Sequence, residues 1–339
     1  MRRTFYASTL ALLLAAALAQ TAPAQGTRTT TLRPLTSNQL SLPPSDALLV
    51  LDVRALFAEV IPRSLASDKA RLAQVNADVD EFKARTGINA RDFDTLAVGA
   101  RIVPLPSGAT KLDHTTAVAH GTFRPDALVA AARAAAAAKG GLKEQPYGGK
   151  TVYVANVNDQ LKLFGLARMR VKELAFAVLD PNTLALGEPE DVRAAIDAQA
   201  GRARVNMNLL DFPKEAGTFL AFGGSVPAGA LAGVETGLSP NVDRALQSVR
   251  GFYGTAGLTA AGAQLMTTLR AGTAADAKQL YDVVGALRQI APGFISIAGP
   301  KWAFAGPMVN NMKVTTKGNE VQLRLDVPQA DIGTVLKSL

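Results

Sequence analysis

Apolar and polar positions fall into short blocks along the chain, and the period of each block predicts its element. Asp46–Val53 (DALLVLDV) is an unbroken apolar run behind Pro-Pro-Ser, which suits a buried strand. Leu56, Phe57, Val60 and Ile61 then follow helical spacing, and Pro62 is expected to stop that helix. Leu72, Val75, Val79 and Phe82 mark a second amphipathic helix that ends near Gly87. Phe93–Val103 and Thr115–Phe123 read as strands. Pro125 and Asp126 open an Ala-rich helix that Gly140 closes. Thr151–Val157, Arg168–Leu179 and Thr183–Gly187 are strands. Glu188, Glu190 and Asp191 lie in the first turn of a helix through Ile196, where negative charge suits the helix dipole.

The second half repeats this order. Thr218–Phe222 parallels the opening strand, Gly251–Leu258 parallels Phe93–Val103, and Ala263–Arg270 parallels Thr115–Phe123. Thr273 with Asp276 forms a capping-box-like start to a helix carrying Leu280, Val283, Val284 and Leu287. The strand–turn–strand around Asp180-Pro-Asn, followed by the Val192/Ile196 helix, parallels the one around Lys317-Gly-Asn, followed by Ile332 and Leu336. The pattern predicts an α+β fold of two tandem related units, each a largely antiparallel sheet with helices packed on it. Their expected bounds are 45–201 and 217–339, joined by a connector at 202–216.

A set of landmarks accompanies this order. They are DALLVLDV, Thr86-Gly87-Ile88 before Asp92-Phe93-Asp94, Ala119-His120-Gly121-Thr122-Phe123, Tyr147-Gly-Gly-Lys-Thr-Val-Tyr153, and Phe176 to Gly187. In them the chain resembles uncharacterised secreted bacterial proteins, catalogued as domains of unknown function, with duplicated strand–helix units behind a signal peptide. The resemblance covers nearly all of the chain after the leader. It implies the duplicated α+β fold and implies no catalytic residue.

The N-terminus changes the picture of compartment. Arg2 and Arg3 precede a short Leu/Ala-rich stretch, Ala7–Ala19, and Ala22-Pro23-Ala24 supplies a small-x-small cleavage site. Residues 1–24 read as a signal peptide and 25–44 as a disordered Thr/Ser/Pro linker, so the mature chain is expected in the periplasm or outside the cell. The absence of cysteine excludes disulfides, thiol catalysis, thiolate metal sites and a lipid-modified N-terminal cysteine. Apolar residues make up 48% and charged residues 19% of the 339, which is globular composition. Loss of Arg2 and Arg3 leaves 34 basic against 28 acidic residues, a net of +6. That balance permits an anionic envelope surface as partner. Export and the lack of a dense Lys/Arg run argue against nucleic acid. The uncharged runs Gly217–Val234 and Gly251–Leu269 are rich in Gly and Thr and read as buried strands, so no transmembrane span is expected in the mature chain. At 6% aromatic residues, a barrel with two interfacial girdles is also disfavoured.

Candidate chemistry is sparse. His114 and His120 would share a strand face about 20 Å apart, too far for one metal ion, and Asp113 would point away from His114 unless a bulge intervened. No G-x-S-x-G occurs, and Tyr147-Gly-Gly-Lys-Thr leads into a strand, as a hairpin turn does and a phosphate loop does not. Asp92-Phe93-Asp94 reads as a loop entering a strand. No metal and no cofactor are expected. Arg168, Arg170 and Lys172 alternate along a strand and form one candidate contact face for an anionic polymer or lipid. The other candidate is Ala291–Met308, read as a Gly/Pro-punctuated loop carrying Phe294, Trp302 and Phe304, which would meet an apolar ligand or a protein partner. The reading is an exported, non-catalytic binding or envelope-associated protein. The alternative is an exported hydrolase working with Asp and Glu.

Overall fold

The apolar run that opens the folded body becomes β1 (Ala47–Asp52), and its alternation dictates what must surround it. Leu48 and Val50 are buried on one face, while Leu49 and Leu51 turn to the other, so β1 needs cover on both sides. It is paired on both edges, with β2 (Phe93–Pro104) and β8 (Thr218–Ser225), both antiparallel. The structure is a computed structural model describing residues 41–86, 89–105, 110–137, 141–163, 167–233, 235–298 and 305–328.

The remaining strands are β3 (Thr110–Gly121), β4 (Leu142–Tyr147), β5 (Lys150–Leu163), β6 (Ala167–Asp180), β7 (Thr183–Gly187), β9 (Val249–Thr259), β10 (Gly262–Ala271), β11 (Lys313–Lys317) and β12 (Glu320–Pro328). All join one twelve-stranded sheet in the order β11-β12-β10-β9-β8-β1-β2-β3-β7-β6-β5-β4. Outward from the β1–β8 pair the strands run β2, β3, β7, β6 on one side and β9, β10, β12, β11 on the other, with β5 and β4 added beyond β6. The halves around residues 45–201 and 217–339 therefore share a continuous sheet.

The helices are α1 (Val53–Ala55), α2 (Ile61–Ser64), α3 (Lys69–Thr86), α4 (Pro125–Ala137), α5 (Pro189–Gln199), α6 (Pro240–Gln247), α7 (Ala274–Ala298) and α8 (Ala305–Asn311). With strands that pair antiparallel and helices laid on the sheet, the fold is α+β. Pro62 does not stop the first helix. Asp52 caps it by accepting from the Ala55 amide at 2.7 Å, and a π turn, Leu56–Val60, follows, closed by the Ile61 amide on the Leu56 carbonyl. This restarts the helix with Pro62 in its first turn, where a missing N–H is harmless.

On the first sheet face, α5 lays Val192, Ala195 and Ile196 onto Val118, Val152, Val154 and a floor of alanines, Ala97, Ala175, Ala177 and Ala185. The small floor lets helix and sheet approach closely. The connector crosses the same face, with Met207, Leu209 and Leu210 against that core. The Leu209 carbonyl oxygen would be 1.9 Å from any Cβ at Gly223, so only glycine fits beneath it. Leu42 is also buried in this core and its carbonyl accepts from Val205, so order begins before Ser45, within the segment read as linker.

The second face joins the halves. Ala55 and Val60 cover Leu220, Ala256, Leu258 and Leu265. Ile61, Leu65 and Val75 continue onto Ala263 and Val327. Leu128 of α4 packs with Phe93, Ala119 and Leu184, and Ala245, Ala277 and Leu280 of α6 and α7 pack on Ala271 and Val321. The Tyr147-Gly-Gly-Lys segment is a β4–β5 hairpin turn with Gly148 and Gly149 both at positive φ (56° and 76°), the conformation a two-residue turn requires. The expected helix around Ile332 and Leu336 lies outside the described residues, as do the signal peptide and residues 25–40.

Candidate functional site

Strand β3 carries one residue more than β2 between the pairs Gly99–Thr116 and Arg101–Asp113. The extra residue makes a bulge in which His114 takes φ 47°, a left-handed conformation uncommon outside glycine. A bulge redirects the side chain it carries. His114 is turned toward the start of α5, where its Nδ1 lies 3.2 Å from Asp191 Oδ1. The Asp191 side chain is 7% exposed and the imidazole 51%. Burial pushes the Asp191 carboxyl above its ordinary value of 3.8, and the bond from His114 works against that shift. Asp113 turns instead to Lys111, 3.0 Å away, whose hydrogen bond lowers the Asp113 carboxyl.

Nδ1 of His114 is thus held at a carboxylate while half of the side chain stands in solvent. His120 has a separate partner, Thr183 Oγ1 at 3.2 Å, so the two histidines serve different contacts. Among the described residues no group of three or more His, Asp or Glu side chains could hold a metal ion. Beyond α5, a groove of about 280 Å³ is lined by Lys143, Glu173, Glu188, Glu190 and Arg193, with Arg193 already bound to Gln145 Oε1 at 2.5 Å. Asp92 and Asp94 are engaged structurally: Asn89 donates to Asp92, and Arg54 pairs with Asp94.

Arg168, Arg170 and Lys172 fall within β6, with Arg168 opposite Lys162 and Arg170 opposite Gln160. β4 pairs with β5 only through Ala155, and β7 pairs with β6 only from Ala175 onward. The outer part of the β5–β6 hairpin is thus a two-stranded ribbon among the described residues, and all three cations lie on it. Their side chains lie outside the described set.

The segment read as a loop at 291–308 differs. α7 runs on through Pro292 and Gly293 to Ala298, and α8 begins at Ala305. A proline within a helix interior leaves one carbonyl without its usual donor, which composition alone reads as a break. Here 25 residues of helix, anchored on the sheet by Ala277 and Leu280, carry the chain past it. Arg288 donates to the Met312 carbonyl at 2.8 Å and so ties α7 to the end of α8. Ile290 stands 49% exposed, whereas Met308 packs against the core of Val75, Ala263 and Val327. Phe294 lies within α7 with its side chain outside the described set, and Trp302 and Phe304 lie outside the described residues.

No family model matches the chain, and no curated protein matches it. Solved structures of TP0453 are similar in part. Its crystal form I shares 9% identity over 88% of this chain and 96% of that one, at a TM-score of 0.44. Crystal form III shares 9% over 89% and 98%, also at 0.44, and form IV 8% over 87% and 93%, at 0.42.

Sequence reasoning placed Asp191 at the helix start but did not join it to His114. The signal is weak. A histidine beside Asp and Thr inside a strand pattern shows no bulge until the register with β2 is known.

Proposed function

We propose that this chain is an exported, non-catalytic protein of the bacterial envelope that docks on an anionic bilayer through the hairpin of α7 and α8. One observation carries the reading. From Ile290 to Val309 the sequence holds a single charge, Lys301, and the stretch lies between Arg288 and Met312, which a hydrogen bond joins. An apolar stretch of sequence with Trp and Phe, on a basic chain, suits the headgroup–acyl boundary of a membrane. No helix among the described residues is long and apolar enough to cross a membrane, and the docking proposed is to the interface. Arg168, Arg170 and Lys172 on the β5–β6 ribbon would add attraction, at about 1 kcal/mol per cation near an anionic surface. Export rests on the leader at 1–24.

We also infer that the two halves arose by duplication. The mirrored strand order about the β1–β8 pair supports this, as does the succession of strand, helix, two strands, helix and strand pair, into which the first half inserts the extra strands β4 and β5.

The rival hydrolase has one feature in its favour, the desolvated Asp191 with its half-exposed histidine. That pair ties the β3 bulge to α5, and a structural tie accounts for it.

Co-sedimentation with lipid vesicles tests the docking. The mature chain should pellet with vesicles rich in phosphatidylglycerol, less so with phosphatidylcholine alone, and less at high salt. The double variant W302S/F304S should stay in the supernatant with an unchanged far-UV spectrum. Equal pelleting of variant and wild type would remove the hairpin from the account.

A further inference from the structure

A groove of about 400 Å³ lies at the opposite end of α7 from the apolar hairpin. At about 1.5 Å per residue, the fourteen residues of α7 from Asp276 to Ile290 put the two roughly 21 Å apart. The groove is lined by Val226, Pro227 and Leu231 together with the end of α6 and the start of β9. Two guanidinium groups line it, those of Arg244 and Arg250, with Gln247 and Ser248 between them in sequence.

The two arginines are differently held. Arg250 Nη1 donates to the carbonyls of Gln247 at 2.7 Å and Val249 at 3.0 Å, which fixes its plane; among the described residues no hydrogen bond engages its other N–H groups. Arg244 is exposed, and among the described residues no hydrogen bond or ion pair engages its side chain. One carboxylate, Asp276, also lines the groove, but it accepts from Thr273 Oγ1 at 2.8 Å as part of the α7 cap. The lining therefore offers two cations against one occupied anion, beside an apolar wall.

We propose that this groove binds a small organic oxyanion, a carboxylate or phosphate group on a short apolar stem. A fixed guanidinium plane and a free second one match the fork geometry of such groups, which Lys would not reproduce. The stem would lie on Pro227 and Leu231. The volume suits a small molecule rather than a polymer.

Calorimetric titration in lipid-free, low-salt buffer tests this with two probes, inorganic phosphate and butanoate. Saturable binding of either is expected, and butanoate without phosphate, or the reverse, identifies which oxyanion the groove takes. R244A should weaken binding about ten- to a hundredfold, as loss of a charged hydrogen-bond donor does. Its melting temperature should not change, because Arg244 holds nothing in the fold. R244K should recover only part of the affinity. L231A should weaken butanoate and leave phosphate unchanged. D276N keeps an acceptor for Thr273 and should tighten both. An R244A variant that binds like wild type, or the absence of saturable binding by wild type, overturns the proposal. Neither result touches the bilayer reading, which concerns the far end of α7.

Discussion

At the scale of single residues, the bond between His114 and Asp191 sets two costs against each other. The bulge holds a non-glycine residue at φ 47°, and α5 holds a carboxyl almost out of water. Because burial raises the Asp191 carboxyl above 3.8, its ionisation favours the unfolded chain. Stability from this group is complete below the unfolded value and is lost as pH rises through the folded one. Wild type should therefore gain thermal stability over D191N as pH falls from about 6 to about 4. Melting curves of the two proteins across that range measure it. A wild type that loses ground to D191N on acidification would mean that the ion pair outweighs burial. The sequence makes half of this legible: three acids at a helix start announce the dipole, and Asp191 is among them. The bulge is a property of two strands in register, so β3 alone does not show it. The same holds for Gly223, whose reason is the Leu209 carbonyl from a connector 14 residues earlier.

Elements with a local cause are the ones the sequence shows best. β7 is found with the bounds its apolar run predicts, and α5 begins at Pro189 and buries the expected Val192 and Ile196. Ile196 also touches the β4–β5 turn, lying 2.9 Å from where a Cβ at Gly148 would be. I196A should cost about 2–5 kcal/mol in denaturant unfolding, since the alanine floor cannot rise to fill the space. A loss below about 1 kcal/mol would show that α5 is not seated as described. The two prolines read as breaks, Pro62 and Pro292, are both inside helical stretches. Pro62 is absorbed by a π turn, and Pro292 by a helix already anchored on the sheet. In both cases packing outweighs local propensity, and packing partners are far away in sequence. α6 is not among the expected elements, although Ser239 caps it on the Val242 amide and Pro240 opens it, both signals present in the sequence.

On the scale of the whole molecule, the order of elements is legible apart from β4, α6 and α8, but their fusion into one sheet is not. That fusion depends on β1 meeting β8, a pairing 171 residues apart at Val50 and Ala221. It places β4 and β11 at the two outer edges, where Pro146 and the lysines Lys313 and Lys317 discourage a further strand. The one-charge stretch Ile290–Val309 spans the end of α7 and most of α8. In the docking proposed above this hairpin enters a bilayer interface, and Trp302, the chain's only tryptophan, reports on it alone. The direct measurement is its fluorescence during titration with phosphatidylglycerol vesicles. The account predicts a blue shift of the emission, protection from an aqueous quencher and strong quenching by lipids brominated near the headgroup. An emission maximum and quencher access that stay the same at saturating lipid would contradict it.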